Sequence, residues 1–336
     1  MSRVETPIEI VDESCRHCDS EQSTPLWAGS EHEYDNTTDE VFEFVRCAQC
    51  DVVRLNPRPD VSELGRIYPP QYYAYNLMEE NRSDNPGLLD KIKARMYQRR
   101  LSAVLRRLGK PTGPIRLLDI GCGDGRLLDW YKASSDGPRL QTFGVEMSEA
   151  AATEARRRGH EVVSGRFEIE SVLEHASFDL ILASHVIEHV DEPLQFARHA
   201  AELLAPGGIF VIYTPNWDSP DARFFKGLWG GNHFPRHWTL YTPDTLAGLA
   251  QRIGLELSHV EYQPNPIFWV WSCHATLKKR FPNSSWPDRL FPTVQIFHRS
   301  VRSFLLLSVF TALDLVMRGL RGRTASIAVD LRKAAP

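Results

Sequence analysis

Between residues 111 and 263, short apolar runs alternate with segments whose apolar positions recur every three or four residues. Ile115–Ile120, Leu140–Val145, Glu161–Ser164, Phe178–Ala183, Gly208–Tyr213 and Leu255–Tyr262 read as strands, and Gly125–Ala133, Ser148–Arg158, Pro193–Leu204 and Pro243–Ile253 as helices. Strands alternating with helices imply an α/β fold with a mostly parallel sheet covered on both faces, and a ligand at the carboxyl ends of its strands. Upstream, Gly87–Leu108 places Leu88, Leu89, Ile92, Met96, Leu101, Val104, Leu105 and Leu108 at helical spacing, opposite a face rich in Lys and Arg. That basic face is either simply solvated or a contact for an anionic acceptor or membrane.

The pattern turns on Leu117–Leu128, LLDIGCGDGRLL, where a buried strand breaks into a glycine turn and resumes as a helix. Without a Cβ in the way, such a turn lets backbone N–H groups approach a ligand. A dinucleotide loop needs a third glycine where Arg126 stands, and no Gly-Lys-Ser/Thr follows for a phosphate loop. The stretch instead resembles motif I of the class I S-adenosylmethionine-dependent methyltransferases, hxDhGCGxG, and Phe178–Asn216 is similar to the fourth strand, EHV loop, helix, P-G-G turn and fifth strand of that family.

The resemblance implies a Rossmann-like sheet of six parallel strands and one antiparallel strand. It also implies that Asp119, Gly121, Cys122, Gly123 and Gly125 hold the methionine and ribose region of S-adenosyl-L-methionine, and that Glu146, followed by Met147, accepts the ribose hydroxyls. Ser184 and His185 would border the cofactor at the end of the fourth strand. After the third strand, where an acidic residue is common in the family, this chain has Gly165-Arg166-Phe167-Glu168. Adenine contact then falls to Phe167 or to the loop backbone.

Cys15/Cys18 and Cys47/Cys50 form two Cys-x-x-Cys pairs. Their spacing suits a closed, structural four-cysteine Zn2+ ribbon, because two knuckles can present four thiolates tetrahedrally and no position is left for substrate. Val41–Val45 and Asp51–Leu55 read as its strands, His17 and His32 as bystanders, and Asn56-Pro57-Arg58-Pro59 as the turn that ends it. Many bacterial methyltransferases carry a similar CxxC…RCxxCxxxxLNPRP…YY stretch. Asp60–Tyr68 reads as a short helix. Tyr72, Tyr73 and Tyr75 either line the active-site mouth or pack the ribbon on the core.

Methyl transfer from a sulfonium is a direct displacement, so the enzyme mainly aligns the groups and excludes water. A hydroxyl acceptor also needs a base. His185, Glu188 and His189 are the candidates, close enough in sequence to converge on one turn. Similar ExxEHV loops in ubiquinone-pathway O-methyltransferases hold a divalent metal. Here His185 replaces the first Glu, so metal ligation, a His189 base and a purely structural histidine all stand open. In Asn232–Tyr241, NHFPRHWTLY, the resemblance makes His233, Arg236 and His237 acceptor-site candidates, with Arg236 suited to an anionic group and His237 also counted among the catalytic candidates; the alternative is a structural loop in which His237 caps a backbone carbonyl.

Thr324–Arg332 alternates like an edge strand and resembles the antiparallel last strand of the fold, with Leu255–Tyr262 as hairpin partner. About 60 residues separate them, where a short turn suffices. That insertion carries nine Lys/Arg against Asp288 and Asp314, several Trp and Phe, and the apolar run Phe304–Met317, too short to cross a bilayer. It reads either as a segment lying on an anionic membrane interface or as a helical lid or dimer contact. The organisation is therefore a ribbon over 1–59, a linker and helix over 60–110, the cofactor-binding domain over 111–263 with 324–334, and the insertion over 264–323.

The net charge of −4 hides an acidic N-terminal end, twelve acids against three Arg in residues 1–50, which disfavours nucleic acid. With no signal peptide and no 18-residue uncharged apolar run, the chain is expected in the cytoplasm, free or on the inner face of the membrane. The reading is a methyltransferase acting, at oxygen, on a small lipid-linked or glycan-linked acceptor. A zinc-ribbon RNA methyltransferase and a non-catalytic cofactor-binding scaffold are the alternatives, and the oligomeric state stays open.

Overall fold

The computed structural model describes residues 7–34, 37–69, 72, 88–109, 112–169, 173, 175–297 and 300–334. In chain order the N-terminal strands are β1 (Ile10–Val11), β2 (Ser23–Ser30), β3 (Val41–Cys47), β4 (Val53–Leu55) and β5 (Arg58–Pro59), followed by helices α1 (Leu64–Ile67) and α2 (Leu88–Leu108). Then come β6 (Ile115–Ile120), α3 (Arg126–Lys132), β7 (Leu140–Glu146), α4 (Glu149–Arg157), β8 (Glu161–Ser164), β9 (Phe178–Ser184), α5 (Pro193–Leu203), β10 (Leu204–Pro215), α6 (Pro220–Phe225), β11 (Thr239–Leu240), α7 (Pro243–Arg252) and β12 (Glu256–Gln263). The last elements are α8 (Pro266–Arg280), α9 (Trp286–Leu290), α10 (Val301–Arg321) and β13 (Ser326–Arg332).

The main sheet has the order β12-β13-β10-β9-β6-β7-β8. Only β13 among these runs antiparallel to its neighbours, so six strands are parallel and one is not. Adjacent residues of one strand serve opposite cores: Leu118 and Ile181 meet α5 and α7 on one face, while Leu117 and Leu180 meet α2 and α3 on the other. A strand buried on both sides needs apolar residues at consecutive positions, which is why these strands read as continuous runs.

Thr324–Arg332 is not an edge strand. β13 pairs with β10 on one side and β12 on the other, and β12 forms the edge. The alternating polar residue that suggests solvent, Asp330, is 1% exposed and pairs with Arg107 of α2, Nε to Oδ2 2.6 Å. The apolar run at Phe304–Met317 also extends further than its sequence suggests: α10 has 21 residues, about 30 Å at 1.5 Å per residue.

The ribbon strands form a sheet of order β11-β4-β3-β2, in which β11 comes from the connection between β10 and β12 of the main sheet. Its apolar side, with Phe44, Val53, Leu55 and Ile67, shares one core with Trp229, Phe234 and Trp238 and with Phe268 and Trp271 of α8. Ribbon, acceptor-side loop and insertion are thus packed into one another. Of the aromatic segment 69–75, Pro69 and Tyr72 are described; Tyr73 and Tyr75 lie outside the described residues.

Because Asp330 is buried, Arg107→Ala leaves a carboxylate without its partner. The expected loss is on the order of 2 kcal/mol of unfolding free energy, discounted for the partly exposed arginine, with an unchanged urea m-value.

Candidate active site

β6 delivers Asp119 and then turns through Gly121, Gly123 and Gly125, which have φ of 73°, 57° and 78°. A Cβ at Gly121 would lie 2.9 Å from Val186 Cγ2, and one at Gly125 2.8 Å from His160. The loop tolerates only glycine there. The N–H groups of Gly121 and Cys122 both donate to Val145 O, and that of Gly123 to Glu146 Oε2 at 3.0 Å. The turn therefore does not offer those three N–H groups to a ligand, contrary to the expectation from its sequence. Its glycines instead let the loop close over β7 and fix the Glu146 carboxylate, whose other oxygen accepts from Ser148 N–H at 2.8 Å.

Asp119 is 2% exposed. Burial first, then the charge of Glu146, push its carboxyl up to about 7. The Cys122 thiol is buried against Gly144, where a Cβ would come within 2.5 Å of its sulfur, so the side chain is a packing group. Met147 is largely exposed beside Glu146. Ser184 ends β9 next to His185. Phe167 does not present its ring to a ligand: it is buried against Phe196 and His199, with centroids at 5.2 and 4.7 Å, which leaves only the backbone of this loop for adenine.

At the end of β9 the chain takes a left-handed residue, His185, with φ 55°. For a non-glycine residue this costs about 1 kcal/mol and marks a position held by its surroundings. His185 Nδ1 lies 3.0 Å from Glu188 Oε1, and Thr214 Oγ1 donates to Glu188 Oε2 at 3.1 Å. Glu188 is fully buried. Burial raises its carboxyl, but His185, His189 and His237 outweigh it and hold the group at about 2.

The donor cluster differs from the one the sequence suggested. Glu188, His189 and His237 bring one donor atom each within 4.8 Å of one another, while His185 supports Glu188 from outside. His189 Nδ1 is 3.1 Å from Arg236 O, and His237 Nδ1 is 2.8 Å from Gly231 O. A carbonyl only accepts, so both Nδ1 atoms carry the proton and both Nε2 atoms keep their lone pairs. Burial pushes both imidazoles below the ordinary histidine range, so the lone pairs are available at neutral pH.

Arg236 and His233 are not free to receive an acceptor anion. Arg236 is fully buried, its guanidinium donating to Ile67 O (2.7 Å), Phe234 O (3.1 Å) and the Glu31 carboxylate, with Tyr34 below it at 4.6 Å. His233, with φ 42°, places Nδ1 2.8 Å from Glu33, has Tyr72 OH 3.3 Å from Nε2 and stacks on Trp271 at 5.4 Å. Tyr72 thus packs the ribbon, and Tyr68 OH meets His189 Nδ1 at 2.9 Å. Burial, followed by repulsion from Glu31, raises the Glu33 carboxyl to about 8, so its contact with His233 is between neutral groups. Glu31, Glu33, Tyr68 and Thr214 carry no sequence signal for these roles, because each is defined by a partner far away in the chain.

A small cavity opens beside His185, lined by Tyr97, Arg100 and Tyr131 on the helix side and by Tyr213 and Gln263 on the sheet side. Gln263 is buried, and its amide nitrogen has no hydrogen-bond partner among the described residues.

In the ribbon, Cys15 Sγ lies 3.6 Å from Cys50 Sγ and Cys18 Sγ 3.5 Å from Cys47 Sγ, and all four sulfurs are within 4.8 Å of one another. A disulfide needs about 2.05 Å, whereas a zinc tetrahedron with 2.3 Å bonds sets sulfurs about 3.8 Å apart. The cluster has the spacing of the second. Each knuckle closes the same way: the N–H of Asp19 returns to Cys15 O and that of Asp51 to Cys47 O, both Asp residues at φ 61°.

A glycine turn over a ribose-type carboxylate, at the strand ends of a sheet with one reversed strand, defines a class I methyltransferase. The chain matches the methyltransferase domain family over residues 93–260, half of its length, and belongs to that family. It is an S-adenosylmethionine-dependent methyltransferase. Among its relatives is the ubiquinone biosynthesis O-methyltransferase of Ruegeria pomeroyi, 32% identical over 48% of this chain and 69% of that one. The protein of the same name from Cereibacter sphaeroides is 31% identical over 57% of this chain and 80% of that one. Among solved structures, the 4+2 cyclase SpnF aligns with a TM-score of 0.50 and 16% identity over 83% of this chain and 98% of that one, a likeness of fold alone.

Two outcomes follow for the ribbon side. Glu33 folds with its carboxyl raised from 4.5 to about 8, so the folded chain binds the extra proton between those values and stability falls as pH rises through that window. In urea titrations from pH 5 to 8, Glu33→Gln should remove up to about 1.4 kcal/mol per pH unit of that slope. Cys47→Ser should lower both thermal stability and bound zinc, read by melting and by metal analysis of the purified chain.

Proposed function

We propose that the chain transfers a methyl group to a hydroxyl oxygen of a small lipid-linked acceptor, with Glu188, His189 and His237 as the acceptor-activating group. The observation that carries this reading is the pair of imidazoles whose Nδ1 atoms face backbone carbonyls, which leaves their Nε2 lone pairs unprotonated, on two rings that each bring a nitrogen within 4.8 Å of the buried Glu188 carboxylate. The relatives' printed name, with its O-methyl transfer in ubiquinone biosynthesis, supports oxygen as the target and a lipid-like acceptor as the class.

The residues present fit S-adenosylmethionine: Glu146 stands at the end of β7 as the ribose acceptor, and the buried Asp119 has no cationic side chain shifting it among the described residues. That cofactor supplies a methyl group on a sulfonium, whose departure leaves a neutral thioether. His189 Nε2 takes the acceptor hydroxyl proton, Tyr68 and Arg236 O hold the ring in place, and Glu188 stabilises the resulting imidazolium. A small cavity of about 50 Å³ is lined by Tyr97, Arg100, Gln263 and Glu188's partner His185, and the Gln263 amide nitrogen has no hydrogen-bond partner among the described residues. The same three donors also suit a divalent cation, which would activate the hydroxyl as a Lewis acid. The four ribbon cysteines hold a structural zinc, which serves folding.

Glu146→Ala should weaken S-adenosylmethionine binding by more than about 100-fold in calorimetry while the melting profile of the free protein is kept, because the carboxylate is bound only by two backbone donors on the surface of the loop. Binding of a cationic cofactor favours ionised Asp119, so affinity should rise from pH 6 to pH 8 with release of a proton; an Asp119→Asn variant should lose that pH dependence. With a demethylated quinol-type lipid as acceptor, His189→Gln should lower kcat by about 10²–10⁴-fold and leave cofactor affinity unchanged. Unaltered turnover in that variant would remove His189 from the chemistry.

A further inference from the structure

We infer that α10 is a membrane-docking helix that lays one apolar face on the surface of an anionic bilayer. α10 packs on α8 through a narrow inner edge: Asp314 is 1% exposed and accepts hydrogen bonds from Asn265 N–H (2.7 Å) and Trp269 Nε1–H (2.8 Å), and Trp269 stacks on Phe310. Leu306, Leu307 and Phe310 are half-buried on the same side, and the opposite side is exposed. Val301, Phe304, Leu305, Val309, Leu315, Val316 and Leu320 are each between 45% and 77% exposed.

At 100° per residue these seven positions fall within a sector of about 160° that also takes in Ser308, Ala312 and Gly319, and its one charged residue, Arg302, lies on the sector's edge in the first turn. The sector runs the whole length of the helix, about 30 Å. Scattered exposed apolar residues are ordinary on a surface, but an unbroken stripe of this length is an interaction site.

Charge names the occupant. Arg302 stands near one end of the stripe, and Arg318, Arg321 and Arg323 at the other. The neighbouring α9 adds exposed Trp286 and Leu290, and the turn before it exposed Phe281 after Lys278, Lys279 and Arg280. Residues 264–323 carry a formal charge of +7 within a chain of −4, so the remainder carries −11. An apolar stripe with aromatic residues alongside and cations at its ends matches an interface of acyl chains beneath anionic headgroups. The strong charge asymmetry turns this face, and not the acidic ribbon, toward such a surface.

α10 has the length and composition to cross a bilayer, but its place in the fold keeps it at the surface. Its C-cap Gly322 is followed within a few residues by β13, which is held between β10 and β12, and its middle is tied to α8 through Asp314. α8 in turn stacks Trp271 on His233 and receives the Gly230 N–H on Ser272 Oγ at 2.8 Å, so the docked helix is one layer from the loop that carries His237. The lipid-linked acceptor proposed above would meet the site from this side, a link that rests on that reading.

Flotation of the full chain with liposomes is the test. The chain should rise with vesicles containing one-third phosphatidylglycerol and much less with phosphatidylcholine alone. A Leu305→Glu/Val309→Glu/Val316→Glu variant should remain in the dense fraction while binding S-adenosylmethionine with unchanged affinity, which shows that it is folded. Arg318→Glu/Arg321→Glu should lose most flotation on anionic vesicles. Failure of the wild-type chain to float on anionic vesicles overturns the inference, as does flotation of the triple-Glu variant equal to wild type. A wild-type dimer in sedimentation that the same variant converts to monomer, without flotation, overturns it too and assigns the stripe to a second copy of the chain. Flotation reads no methyl transfer, so a chain that floats yet methylates no lipid-linked acceptor retains this inference and rejects the proposed acceptor.

Discussion

The half of the molecule that carries the Glu188, His189 and His237 cluster depends on a buried charge, the Arg236 guanidinium, held by Glu31 from the ribbon and by two backbone carbonyls. A guanidinium withdrawn from water is tolerable only if its donors are met, and here the partners come from three separate parts of the chain. Satisfying it fixes where the ribbon sits and where residues 233–237 run. The Arg236 carbonyl then orients His189, and the adjoining turn orients His237 through Gly231 O. A zinc-type ribbon far from the chemistry in sequence is in this way a wall of the site, and the strand β11 that completes its sheet is part of the same loop.

The cofactor half is built on different physics. It stands on the parallel sheet, whose strands are buried on both faces, and on loop glycines at 121 and 125 where a Cβ would meet Val186 and His160, with Gly144 of β7 making room for Cys122. Its electrostatics are unbalanced: burial, and after it the charge of Glu146, raises the Asp119 carboxyl to about 7. A cationic donor resolves that repulsion. Acidic groups thus gather at the ends of β6 and β7, and neutral imidazoles at the loop after β9.

The sequence made the cofactor half legible because its determinants are local. Glycines at 121, 123 and 125, a carboxylate at the end of the next strand and periodic apolar runs each sit within a few residues of what they do. The cysteine pairs were legible for the same reason. The 229–238 loop was legible only as a polar cluster: His233 and Arg236 stand out in the sequence, but their partners Glu33 and Glu31 lie about 200 residues away and turn them into buried structural groups. His185 was read as a member of the donor cluster because it stands four residues from His189, but its left-handed backbone turns it to the outer side of Glu188, and His237 takes the place from 48 residues downstream. Asp330 misled in the opposite sense: a polar residue in an alternating strand suggested an open edge, and it is a buried partner for Arg107.

A crystal structure of the chain with S-adenosylhomocysteine tests the central claim most directly. The account predicts both ribose hydroxyls on the Glu146 carboxylate, the sulfur over the carboxyl end of β9, and His189 and His237 on the acceptor side of it. Density for the nucleoside elsewhere, or a ribose with no contact to Glu146, would contradict it.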